Sequence, residues 1–201
     1  FNDFPNAHWC ADRYGSDWLD DQSMNKSELR LLSCWAIVLL LAALGRLGSM
    51  STLSPPDLAF FHQSTWSAAQ GLGFRQTALH FDDGSILGSV HLSLIRLVWV
   101  PAYWLFPRVE TLVCLQVLAV VMAAAAALRL LRSVAPQSGF MARCMVLLSP
   151  LLPMLATVDI RPLVFIMPAT LWLMVGLRER RDWLVVVSVV ATLLAREEAP
   201  Y

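Results

Sequence analysis

Seven ionisable side chains lie at the margins of apolar runs, where charge is costly and function is the default hypothesis: Asp57, His91, Asp159, Arg161, Arg196, Glu197 and Glu198. Carboxylates there can take up protons, guanidinium groups can hold anions, and a histidine can serve as catalyst or ligand. Each also has a plainer explanation. Asp57 follows Pro55 and Pro56, and an acid in a first helical turn stabilises the macrodipole by about 0.3–1 kcal/mol. His91 can mark a water boundary, and Asp159 and Arg161 can pair with each other at a helical hairpin for about 0–1 kcal/mol. Glu197 and Glu198 close an apolar segment, where acids oppose the dipole, and that misfit favours a functional role. His62, His80, Asp82 and Asp83 read as solvated loop groups.

The elements that must position these residues are membrane helices. The chain of 201 residues is 57% apolar and 15% charged, with a mean hydropathy of +0.58, values outside the soluble range. Fifteen basic and fifteen acidic residues cancel, so no basic field is available for nucleic acid. Cys10, Cys34, Cys114 and Cys144 form neither a CxxC pair nor a zinc spacing. Five stretches are candidate spans: Leu31–Leu47, Thr111–Leu128, Cys144–Val158, Leu163–Leu177 and Trp183–Ala195. A sixth, His91–Phe106, carries Arg96 and Pro101 in its middle. A central arginine costs about 2.5–3.5 kcal/mol on insertion scales, so this stretch is expected along the interface, anchored by Trp99, Tyr103 and Trp104. The run Ala123–Ala127 reads as a close helix-packing surface.

Charge then sets the sidedness. With the sixth stretch interfacial, Lys26, Arg30, Arg129, Arg132, Arg143, Arg178, Arg180 and Arg181 all fall on one side, which the positive-inside rule makes cytoplasmic. The opposite side receives a long loop, 48–110, the bend at Asp159–Pro162 and the terminal Arg196–Glu198. Within that loop, Pro55 and Pro56 open a short helix that presents Leu58, Phe61 and Thr65 on one face. The fold expected is an all-α integral membrane bundle of about five transmembrane helices plus two interfacial helices in the first external loop. Residues 1–30 are expected to form a polar tail, and the chain, which opens on Phe1, is expected to be a fragment.

The segments Asp57–Trp66, Leu87–Ser93, Val158–Pro162 and Arg196–Pro200 resemble, in this order, a family of bacterial multi-pass membrane proteins catalogued as a domain of unknown function. That family in turn looks like the GT-C superfamily of membrane glycosyltransferases, and the resemblance runs from about Leu31 to Tyr201. Family members tend to carry Phe-Asp-Gln where this chain has Phe61-His62-Gln63, and His-Pro-Glu where it has Arg161-Pro162-Leu163. A carboxylate expected near the bend is therefore absent.

The resemblance implies transfer of a sugar from a polyprenyl-phosphate donor to an acceptor at the outer face of a bacterial inner membrane. By that implication Asp57 is the catalytic base, and Arg161 or Arg196 contacts the phosphate. His91, Asp159, Glu197 and Glu198 orient the acceptor or hold a divalent cation. The partners implied are the lipid bilayer and a lipid-linked sugar. A non-enzymatic transporter or assembly component, and an inactive fragment, are the alternative readings.

Overall fold

A computed structural model describes residues 24–49, 55–75, 77, 94–157 and 160–195, and every regular element among them is helical. In chain order these are α1 (Lys26–Gly48), α2 (Pro55–Ala69), α3 (Arg96–Leu105), α4 (Val109–Val134), α5 (Phe140–Leu147), α6 (Leu151–Thr157), a 3-10 turn (Pro162–Phe165), α7 (Ile166–Arg178) and α8 (Asp182–Ala195).

Three helical stretches are long and apolar enough to cross a membrane: Lys26–Gly48, Val109–Val134 and Phe140–Thr157, the last being α5 and α6 interrupted at Ser149–Pro150. At 1.5 Å per residue, α1 and α4 reach about 34 and 39 Å, enough for a hydrocarbon core of about 30 Å. The other two expected spans correspond to shorter apolar helices, Pro162–Arg178 and Asp182–Ala195. The outward faces are those of a lipid-bathed bundle. Val38 and Leu41 on α1, Met122 on α4, Met154 on α6 and Leu193 on α8 are all exposed, whereas a water-soluble fold would bury most such side chains.

The centre is α4, which contacts α1, α5, α6 and α7. Its Ala123, Ala124 and Ala126 are fully buried, and these small side chains let neighbouring backbones approach, as the alanine run predicts. Leu39 and Ala43 of α1, Leu152 and Ala156 of α6 and Val164 of the 3-10 turn close around it. Gln116 of α4 donates to the Leu155 carbonyl of α6 at 2.9 Å. The α7–α8 hairpin is equally close: a Cβ at Gly176 would lie 3.0 Å from the Val185 backbone nitrogen.

Three expectations change. Helix α1 starts at Lys26, inside the stretch read as tail, because Asn25 and Glu28 form a capping box in which the Glu28 carboxylate accepts from the Asn25 N–H at 3.2 Å. Helix α3 has 10 residues, about 15 Å at the helical rise, so it is too short to span. Yet Trp99 and Tyr103 do not face outward as anchors: both are buried with Phe61, Leu112 and Ile160, and of the three expected anchor rings Trp104 alone is exposed. Arg96 is likewise fully buried, because its guanidinium lies against Phe60, Phe61 and Phe74 at 5.3, 6.0 and 4.7 Å from the ring centroids.

Candidate functional site

Helix α2 begins with prolines, which need no partner for an N–H in the first turn, and this sets Asp57 in that turn. The helix ends at Ala69 and is closed by Gly71, whose φ of +77° completes a C-terminal motif with Leu72 N–H donating to the Ser67 carbonyl at 3.0 Å. Helix α2 packs along α3, and its apolar face bears on Trp99: Phe61 meets that indole edge-on at 5.8 Å. From the other side Phe165, at the end of the 3-10 turn, approaches the same indole at 5.6 Å. Trp99 therefore joins the helix carrying Asp57 to the bend carrying Arg161.

This packing brings Asp57 Oδ2 to 4.0 Å from Arg161 Nη2, across a separation of more than a hundred residues. Both side chains keep solvent contact, 42% exposed for Asp57 and 60% for Arg161. Such a pair is worth about 0–1 kcal/mol, so it can reorganise around a ligand cheaply. Of the seven residues singled out by sequence, Asp57 and Arg161 are the two described. His91, Asp159, Arg196, Glu197 and Glu198 lie outside the described residues, as do His80, Asp82 and Asp83. The side chains suggested as cation ligands are thus outside them too, and among the described residues no three His, Cys, Asp or Glu side chains gather as metal ligands.

Beside the pair, α2 and α3 are tied by polar contacts. His62 Nδ1 lies 2.9 Å from the Tyr103 hydroxyl, and Trp104 Nε1–H donates to the Ala69 carbonyl at 3.1 Å. Burial lowers the His62 pKa, with the Glu110 charge pulling the other way; burial and then Glu110 both raise that of Tyr103. His62 is therefore not a solvated loop group: it sits on a helix, half buried, with a partner 41 residues away. Gln63 holds the loop beyond the helix, accepting from the Thr77 N–H at 3.0 Å. Helix α3 is suspended from α8 by the Ile95 N–H, which donates to the Leu194 carbonyl at 2.8 Å.

An apolar groove of about 500 Å³ lies among α3, α4, α7 and α8, lined by Trp99, Phe165, Trp172, Trp183 and Ser188 among others. Its size lies within the roughly 300–1,000 Å³ common for small-molecule sites.

Sequence reasoning missed Arg96 as a packed group. The signal was present, since an arginine amid aromatic residues and a Phe60–Phe61 pair nearby can make a cation–π cage. The Tyr103–His62 contact had no such signal, because it depends on how two distant helices cross.

A helical bundle with lipid-facing apolar surfaces and a polar pair at one end defines an integral membrane protein. Residues 51–200 match the family described as "Predicted membrane protein (DUF2079)", and the chain belongs to that family. No curated protein and no solved structure matches it.

Proposed function

We propose that this chain is a membrane glycosyltransferase domain that moves a sugar from a polyprenyl-phosphate donor to an acceptor hydroxyl or amine at the outer face of a bacterial inner membrane, with the N-terminus cytoplasmic. The observation that carries the reading is the exposed Asp57–Arg161 pair at 4.0 Å, whose helix and bend also carry Phe61 and Phe165, the rings that pack on Trp99 beside the apolar groove. A carboxylate and a guanidinium on the same bundle as a hydrocarbon-lined groove suit a substrate with an anionic head and an apolar tail.

In this reading Asp57 accepts the proton of the acceptor as its oxygen or nitrogen bonds to the anomeric carbon. The bond from that carbon to the phosphate oxygen breaks, and its electron pair leaves with the polyprenyl phosphate. Arg161 stabilises the charge that develops on that phosphate. The tail stays in the groove or the adjoining bilayer. His91, Asp159, Arg196, Glu197 and Glu198 are assigned to acceptor and phosphate contacts by the same reading.

Purified protein in nanodiscs, supplied with a panel of polyprenyl-phosphate sugars and acceptors, should release polyprenyl phosphate. Replacing Asp57 with Asn should lower turnover by about 10²–10⁴-fold, the usual contribution of a general base, while insertion is retained. Unchanged turnover removes Asp57 as the base.

A further inference from the structure

We propose that His62 and Tyr103 form a proton-operated latch that fastens α2, and with it Asp57, to α3. The contact is a single hydrogen bond between helices, 2.9 Å from imidazole Nδ1 to the phenol oxygen. Tyr103 is 1% exposed, and among the described residues His62 is the hydrogen-bond partner of its hydroxyl. A buried O–H must donate, which makes Nδ1 the acceptor and leaves the other imidazole proton on Nε2. Protonating Nδ1 removes that acceptor: the phenol oxygen can then only accept from the imidazolium, and its buried O–H is stranded. The phenol cannot shed that stranded proton by ionising, since burial and Glu110 hold it protonated.

The groups around the imidazole agree with this assignment. Tyr103 on α3 and Glu110 on α4 are the titratable neighbours whose charge or proton bears on it. Arg96 on α3 lies against Phe60, Phe61 and Phe74. Asp57, on the same helix as His62, faces Arg161. Burial lowers the His62 pKa from 6.5 and outweighs Glu110. The sign follows: the latch is fully closed above about pH 6.5 and is lost as pH falls through the lowered folded-state value. Two other ties, Trp104 to Ala69 and the edge-on contact of Phe61 with Trp99, contain no group that titrates in this range.

Hydroxyl-radical footprinting of the full chain in nanodiscs at pH 7.5 and pH 5 reads the latch directly. Phe61, 3% exposed, should be modified several-fold faster at pH 5. In His62→Gln, which keeps an acceptor but cannot titrate, Phe61 should stay protected at both values. Equal protection of the native protein at both pH values overturns the latch, as does a pH response that persists in His62→Gln. Should that variant fail to fold, imidazole NMR of Tyr103→Phe gives the decision. Loss of the donated hydrogen bond should raise the His62 pKa, and an unchanged value sinks the proposal.

Discussion

The two ends of the bundle use charge in opposite ways. At the end where α1 begins and α4 and α7 finish, two carboxylates are buried and each is shared by two arginines. Glu28 meets Arg143 at 2.9 Å and Arg132 at 3.4 Å; Glu179 meets Arg181 at 3.0 Å and binds Arg129 through both oxygens. Both acids are 3% exposed. At the other end Asp57 and Arg161 stand 4.0 Å apart in solvent. The first arrangement fixes α1, α4, α5 and the α7–α8 turn together, and its charges are consumed by architecture. The second holds little together, and its charges remain available to a ligand. Equal residue types thus carry different meanings, and burial separates them.

This contrast can be broken or sharpened by experiment. The largest effect expected is all-or-none: engineered thiols at Ser138 and Ser85 should be labelled from opposite faces of the membrane, and labelling from one face removes the two-ended arrangement. Next, Glu179→Ala and Glu28→Ala should each destabilise the bundle by about 3 kcal/mol in denaturant titrations, because each removes the buried carboxylate that two partly buried guanidinium groups share. Gly176→Ala should cost about 1 kcal/mol, since the new methyl presses on the Val185 backbone. Asp57→Asn and Arg161→Gln should shift stability by less than about 1 kcal/mol while altering turnover, the inverse of the glutamate pattern. The smallest effect is at Arg180, which holds a φ of 54° where α2 uses Gly71. Arg180→Gly should stabilise by about 0.5 kcal/mol by relieving left-handed strain.

Much of the scaffold was legible because its signals are local. Apolar run length located α1, α4 and the α5–α6 pair, the Pro55–Pro56–Asp57 sequence located the start of α2, and the alanine run located the packing seam of α4. The grouping of Lys and Arg into alternate connectors foretold that Arg129, Arg132, Arg143, Arg178 and Arg181 would share an end, and the ion pairs through Glu28 and Glu179 join most of them. Glu28 itself was hidden, because its cap at Asn25 and its partners more than a hundred residues away act together and neither alone is visible in a window. Trp99 and Tyr103 were read as interfacial from their type, yet crossing of α2 over α3 buries them. Of the candidate site, Asp57 and Arg161 could be named from position alone. Their gathering on one side followed from the grouping of charge, but their approach to 4.0 Å could not be read, since it arises through Phe61, Trp99 and Phe165, three rings on separate elements.

The backbone bond from Ile95 to Leu194 gives α8 mechanical authority over that region. Because α8 is seated against α7 at Gly176 with little slack, the residue that opens α3 is anchored to the tightest helix pair of the bundle, and Trp99 stands one turn beyond that anchor.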